Sequence, residues 1–270
     1  MQFSYRLPAL SLLACLTALP VAAQFPSITL QQRTIEEFDA YTKKVETQLS
    51  SRWHGQRSFL EIDEVPELRG KVLSGEIPIR PAGAKNPVDI FDGMVADWIG
   101  DVFIPNASVG RVLAVLQDFD HHSKIYPEIT RSRLLSRTGN HISGYWRLEK
   151  KDQVIPVVLD VVDEADYQQA APGKWICRAY ARNVSEVDKP GTSQEEKLPP
   201  GRGQGFLWRL YAYWSIEAIN GGVLAECRAE TLSRSVPPGL GWVVKPLIKS
   251  LPRESLSSTL RNTRAGAIQK

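Results

Sequence analysis

The amino-acid sequence predicts an α+β fold built on an antiparallel sheet. Segments that alternate apolar and polar residues follow one another through short turns such as Asn220-Gly221-Gly222, which is typical of β-hairpins. Because short turns join only antiparallel strands, we expect an antiparallel sheet. Near the C-terminus an apolar stripe at helical spacing predicts a long helix against one face of that sheet. The stripe consists of Leu240, Val244, Leu247 and Leu251.

The composition is that of an ordinary globular chain. Of 270 residues, 43% are hydrophobic and 23% are charged, which argues against a disordered or polytopic membrane protein. A net charge of +3 gives no electrostatic basis for nucleic-acid binding, so we expect no nucleic-acid partner. Three cysteines are too few for a disulfide-rich scaffold.

Residues 1–23 have the pattern of a secretory leader. Arg6 precedes an apolar run of about 13 residues, and small residues stand at Val21 and Ala23. The run is shorter than the roughly 18–20 residues that a membrane span needs. We therefore expect cleavage after Ala23, no membrane span in the mature chain, and a periplasmic or secreted protein.

Residues 24–92 are predicted to form an N-terminal helix and an irregular arm. Ile35, Phe38 and Val45 recur at helical spacing within residues 33–50, where Thr34 and Glu37 are placed as a capping box. Several prolines follow, and one short strand is expected near Glu76–Ile79.

Residues 93–270 are predicted to contain six strands and three helical segments. The patterns predict a strand at 93–105, a helix at 109–119, strands at 142–150, 154–163, 174–187, 206–219 and 223–234, and two helical segments after Gly239, the second beginning at Pro252. Residues 188–205 have the composition of a linker, which allows either a disordered connection or a lid.

Alternation along the strands predicts which side chains face the C-terminal helix. Four tryptophans share this inner face with small residues, and Leu240, Val244 and Leu247 would close it from the helix. The inner-face set comprises Trp146, Trp175, Trp208, Trp214, Ala225 and Cys227. Small side chains either admit a closely packed helix or leave a cavity, and the pattern favours neither. A cavity would suit a hydrophobic ligand. Charged residues of the same strands, Arg178, Arg209, Glu226 and Arg228, then lie on the outer face.

Cys177 and Cys227 are predicted to be buried free thiols. Both point to the inner face, with the strand 206–219 between their strands. That arrangement separates them by about 9–10 Å, which is beyond the reach of a disulfide.

Residues 118–129 (DFDHHSKIYPEI) resemble a segment of the START-like (SRPBCC) superfamily. In polyketide-cyclase-like and coenzyme-Q-binding members the segment follows the first helix. Gly205-Phe206-Leu207-Trp208-Arg209 and Pro252-Arg253-Glu254-Ser255-Leu256 resemble exported bacterial proteins of this type. The resemblance covers residues 93–268 and implies the helix-grip fold, in which a curved antiparallel sheet wraps around a long C-terminal helix. The chain then divides into a leader (1–23), an arm (24–92) and a START-like domain (93–270).

The sequence shows no convincing catalytic or metal site. His121 and His122 are adjacent and point in different directions, with no further ligand at metal-binding spacing. Asp97, Asp160 and Asp163 are carboxylates within strands, and the face that Asp160 occupies is ambiguous. No motif for a cofactor is present.

Three functional hypotheses follow. The first is an exported binding protein that holds a hydrophobic small molecule or lipid between the sheet and the C-terminal helix. The alternative is a cyclase- or hydrolase-type enzyme that uses the same cavity. The third is a partner-binding protein that uses residues 24–92 and the C-terminal helix. The ligand and the oligomeric state are not indicated by the sequence.

Overall fold

The computed structural model describes residues 27–150, 157–236 and 241–269, and gives the backbone alone for 241–249. The expected leader lies outside the described residues.

The N-terminal arm contributes two helices and three short strands. These elements are β1 (Ile28–Thr29), α1 (Gln32–Trp53), α2 (Pro66–Leu73), β2 (Ile79–Pro81) and β3 (Val88–Ile90). Helix α1 confirms the predicted helix. The predicted capping box is wrong, because the helix starts two residues before Thr34 and buries that side chain.

The central part of the chain runs from strand to helix and back to strands. It contains β4 (Gly93–Pro105), α3 (Val109–Leu116), α4 (His122–Ile125), β5 (Ile129–Thr138), β6 (His141–Lys150), β7 (Val157–Ala171) and β8 (Lys174–Asp188). Strand β5 was not expected, and β7 extends eight residues beyond the expected end at 163.

The last part contains the predicted hairpin and the long helix. Its elements are β9 (Glu196–Lys197), β10 (Arg202–Gly203), β11 (Arg209–Ile219), β12 (Gly222–Arg234) and α5 (Gly241–Gln269). Helix α5 runs unbroken for 29 residues through Pro246 and Pro252, so the expected division into two segments is wrong. Its second half is held by tertiary packing, since Leu256 and Leu260 are buried in the core. No helix in the described part of the chain is long and apolar enough to cross a membrane.

The strands confirm the predicted α+β class. One antiparallel sheet has the order β2-β4-β12-β11-β8-β7-β6-β5, β3 and β9 add to β4 and β8, and β1 pairs separately with β10. Helix α5 lies along β4 and β12 on the inner face. The result is a large curved sheet closed by a C-terminal helix, as in the helix-grip fold.

The outer face of the sheet is covered by the arm. Phe38, Val45 and Leu49 of α1 are buried in the same cluster as Leu224 and Leu232 of β12. Glu226 and Arg228 do lie on this face, as predicted, but only 4% and 7% of their surfaces remain exposed. The sheet is therefore a middle layer between two sets of helices.

Two glycines allow the inner helices to approach the sheet. A Cβ atom at Gly144 would overlap the ring of Phe119, which belongs to the segment resembling the START-like superfamily. At Gly100 a Cβ would stand 2.5 Å from Leu260 Cδ1 and 2.6 Å from Ile79 Cδ1. Both glycines thus accommodate a side chain that a larger residue would displace.

Candidate functional site

A cavity of about 310 Å³ lies between the inner face of the sheet and α5. Its sheet side comes mainly from Leu210, Ala212, Trp214, Cys227 and Ala229. Residues of β6, β7 and α5 complete the lining, which is apolar except for one threonine. These residues are Leu148, Val157, Leu159, Leu251, Pro252, Leu256 and Thr259. The arrangement can enclose an apolar molecule.

The cavity exists because small side chains stand side by side on neighbouring strands. Ala179, Ala212 and Ala229 are directly paired across β8, β11 and β12. Of these three, Ala212 and Ala229 line the cavity, and their methyl groups leave space above the sheet that larger side chains would fill. In the next row, Trp214 lies between Cys177 and Cys227 and borders this space.

The polar residues of the cavity gather at one edge of the sheet. Strands β6 and β12 end there, and β7 and β11 begin there, so Lys150 and Arg234 flank the cavity from opposite sides. Lys150 Nζ donates to Glu128 Oε1 at 2.8 Å, and Ser255 Oγ donates to Glu128 Oε2 at 3.1 Å. Glu128 therefore connects β6 to α5.

The segment before β11 forms part of the same rim. The backbone N–H groups of Gln204 and Phe206 donate to the Glu186 carboxylate at 2.6 and 2.9 Å, although burial raises the pKa of that group. Arg234 Nη1 donates to the Gln204 carbonyl at 3.2 Å. The linker 188–205 thus ends against the cavity, and it carries the short strands β9 and β10 rather than an unstructured connection.

The structure brings only part of the predicted site together. Trp214 and Cys227 line the cavity. Trp146 and Ala225 are buried in the inner core without lining it, and Trp175 packs against that core. Leu240 and the side chains of Val244 and Leu247 lie outside the described residues.

Trp208 does not face the cavity, and the prediction of its orientation is wrong. It is buried in the outer cluster with Phe38. Strand β11 begins only at Arg209, so alternation does not extend back to Trp208. The backbone N–H of Trp208 donates to the Leu232 carbonyl at 2.7 Å, while Gly205, with φ of +74°, turns the chain just before it.

Alternation places Ala212 and Ala229 on the inner face, but the candidate site did not include them although they line the cavity. The turn Asn220-Gly221 fixes the β11–β12 register, and that register places Ala212 opposite Ala229. The rim residues Lys150, Gln204 and Arg234 carried no such signal, because their convergence depends on the order of the whole sheet.

The acidic candidates do not form a catalytic group in the cavity. Asp160 lies on the outer face, where Arg147 Nε and Tyr145 Oη each donate to it at 2.7 Å. Burial raises its pKa, but these hydrogen bonds outweigh burial and hold the pKa below the usual range. Asp97 pairs with Arg228 on the same face. Asp163 lies opposite Gly144, and desolvation raises its pKa to about 7.

Of the two adjacent histidines, one is exposed and the other is buried. His121 is exposed, and its Nδ1 lies 2.8 Å from Asp118 Oδ1. His122 is buried between the rings of Phe119 and Tyr126. Among the described residues no cluster of three His, Cys, Asp or Glu side chains could hold a metal ion.

No protein-family model and no curated protein match this sequence. Several solved structures do align with this chain. A protein from Thermus thermophilus aligns at 14% identity and a TM-score of 0.46, covering 64% of this chain and 97% of that one. A STAR-related lipid transfer protein from Xanthomonas axonopodis aligns at 20% identity and 0.45, covering 67% and 96%. The Zhui aromatase/cyclase of Streptomyces sp. R1128 aligns at 9% and 0.45, covering 65% and 94%.

Proposed function

We propose that the protein holds a hydrophobic small molecule or lipid in the cavity between the sheet and α5. The observation that carries this proposal is an apolar space of about 310 Å³ beneath a helix. Ligand pockets begin at about this size and are mostly apolar, with a few polar groups that orient the ligand. The described cavity has both features, because its polar residues are gathered at one rim.

The walls of the cavity support binding rather than simple core packing. Ala212 and Ala229 belong to central strands, yet both remain partly exposed because the space in front of them is open. Nearby residues of the same face, Ile216 and Ala225, are 0% and 1% exposed. The open space is thus confined to one end of the inner face.

Export is part of the proposal and rests on the leader pattern of residues 1–23. Expression in a bacterial host and mass measurement of the mature chain test it. A mass that corresponds to a start at Gln24 supports export, and an intact N-terminus in the cytoplasmic fraction contradicts it.

The enzyme alternative requires polar groups that converge inside the cavity. Asp160, the carboxylate considered for this role, instead bonds Arg147 and Tyr145 on the outer face. We therefore favour a binding protein.

Cavity filling tests the proposal directly. In Ala229→Trp a large ring would occupy the space, so the variant should lose co-purified ligand in native mass spectrometry after organic extraction. It should also bind the neutral apolar probe N-phenyl-1-naphthylamine at least about tenfold more weakly, since burial of the probe is prevented.

Ala218→Trp is the matched control, because Ala218 lies on the same face of β11 but is exposed and does not line the cavity. This control should bind the probe as the wild type does. Equal probe binding by both tryptophan variants would refute the proposed site.

A further inference from the structure

We infer that Glu128 controls the rate of ligand exchange, because it holds α5 against the sheet through Ser255 at the cavity. A ligand enters or leaves when α5 tilts away from the sheet at this contact. The inference rests on the proposed function and concerns the regulation of the same cavity. We call the contact between Lys150, Glu128 and Ser255 the latch.

Helix α5 is attached unevenly along its length. Within its described part, three side-chain hydrogen bonds reach the rest of the molecule. Two of them lie in its last two turns, where the hydroxyls of Thr263 and Tyr126 are 3.0 Å apart in the core and Arg264 donates to a carbonyl of the arm at 2.9 Å. The third runs from Ser255 Oγ to Glu128 Oε2 at 3.1 Å. Of these three helix residues, Ser255 lines the cavity.

Glu128 belongs to the sheet side of the latch. Its carbonyl accepts from the N–H of Glu149 on β6 at 2.9 Å, and its Oε1 accepts from Lys150 Nζ at 2.8 Å. Only 12% of the Lys150 side chain is exposed, so the ion pair is shielded from solvent. A hydroxyl that donates to an ionised carboxylate forms a stronger bond than one between neutral groups. One charge-assisted bond thus connects α5 to the sheet at the cavity.

The opposite rim of the cavity is held by several bonds. The backbone N–H of Arg234 donates to the Gly205 carbonyl at 2.9 Å, and its Nη1 donates to the Gln204 carbonyl at 3.2 Å. The N–H groups of Gln204 and Phe206 both donate to the Glu186 carboxylate. Because each of these bonds involves the backbone, this side of the rim is fixed. We therefore expect the cavity to open on the side of α5.

The position of the buried hydroxyl contact makes α5 a lever. Thr263 follows Ser255 by eight residues, which is about 12 Å along a helix. A tilt of about 15° at Thr263 would displace Ser255 by about 3 Å, which breaks its hydrogen bond to Glu128. Leu256 lines the cavity next to Ser255 and would move with it, so the tilt opens the apolar space. Ligand exchange then depends on the population of the tilted state.

Ser255→Ala tests the inference, because it removes the latch bond and alanine suits a helix. Stopped-flow fluorescence with N-phenyl-1-naphthylamine measures the rate constants of association and dissociation. We expect both rate constants to rise about five- to tenfold, as the loss of a hydrogen bond to a charged group implies. The Kd should stay within about twofold of wild type, because a larger open population speeds entry and exit alike.

Ser257→Ala is the matched control. Ser257 lies on the same helix, accepts from Arg261 within α5 and does not line the cavity. This variant should keep both wild-type rate constants.

A double-mutant cycle shows whether Ser255 acts through Glu128. Glu128→Ala should raise both rate constants at least as much as Ser255→Ala does. Adding Ser255→Ala to Glu128→Ala should change them by less than about twofold, since the bond between the two residues is already absent.

The outcomes separate this inference from the proposed function. Wild-type rate constants in Ser255→Ala, or an equal rise in Ser257→Ala, would overturn the latch while the cavity still binds the probe. Faster dissociation with unchanged association would also overturn it, because Ser255 would then contact the ligand directly. Failure of the wild type to bind the probe at all would overturn the proposed function as well.

Discussion

At the scale of single residues, several acids are buried beneath the arm. Glu230 is 0% exposed, and Thr42 Oγ1 donates to its Oε2 at 2.9 Å, while its Oε1 has no partner among the described residues. Burial, with Asp97 nearby, raises the pKa of Glu230 to about 8. Asp101 and Glu226 are likewise buried around Arg80, and burial raises the pKa of Asp101 to about 6.

Glu230→Gln should make folding less dependent on pH. Because the pKa of Glu230 is higher in the folded state than its ordinary 4.5, the folded state binds this proton more tightly. The stability that comes from this tighter proton binding is therefore present below pH 4.5 and is lost as pH rises towards 8. The free energy of unfolding of the variant relative to wild type, measured by urea denaturation, should be higher at pH 9 than at pH 5 by on the order of 3 kcal/mol.

The exposed Glu196 provides the control for this experiment. Glu196→Gln should shift the free energy of unfolding by a similar small amount at both pH values. If Glu230→Gln also has the same effect at pH 5 and pH 9, the raised pKa of Glu230 is refuted.

Residue-level prediction from the sequence succeeded where a regular strand persists. Alternation correctly placed Trp214 and Cys227 on the inner face, because β11 and β12 are unbroken there. It failed for Trp208, which precedes the first ladder pair of β11. The burial of Glu226 and Glu230 could not be read from their strand, because it depends on the arm, whose Glu61 N–H donates to Glu226 and whose Thr42 donates to Glu230.

At the scale of elements, α1 is a structural layer of the fold. Phe38 is 0% exposed, and its ring lies 5.1 Å from that of Tyr211 on β11. Trp53 Nε1 donates to Ser215 Oγ of the same strand at 2.8 Å. The arm thus covers the face of the sheet opposite the cavity.

Phe38→Ala should destabilise the protein without altering the cavity. Removing a fully buried ring costs about 3–5 kcal/mol, which should appear as a lower urea midpoint. Affinity for the neutral probe, measured where the variant is folded, should remain at the wild-type value, because Phe38 lies on the other side of the sheet. Lys43→Ala, at an exposed position of α1, should leave both quantities unchanged. If Phe38→Ala has the urea midpoint of the wild type, α1 does not pack on the sheet as described.

The elements that the sequence predicted best are those with one clearly buried face. Strand β4 matches its predicted bounds, and β12 differs by one residue at its start. Strand β5 was missed because it lies at the edge of the sheet with most side chains exposed, and a register shift between Leu134 and Ser136 breaks its alternation.

At the scale of the whole molecule, the order of strands determines where the two thiols lie. Cys177 and Cys227 are free and buried, as predicted, and both pair with Trp214 from opposite sides. Only Cys227 lines the cavity. The sequence could predict the spacing of the thiols, but this difference between them required the position of α5.

Access through the cavity should therefore make the two thiols react differently. Burial raises the pKa of both, so both should react slowly in the folded protein. A neutral reagent with an apolar tail, hexyl methanethiosulfonate, should enter the cavity and modify Cys227 before Cys177, as measured by peptide mass spectrometry. Ala229→Trp should slow the modification of Cys227, whereas Ala218→Trp should not, and urea should make both thiols equally reactive. Modification of Cys177 first, or a Cys177–Cys227 disulfide in the untreated protein, would contradict the strand order and the cavity together.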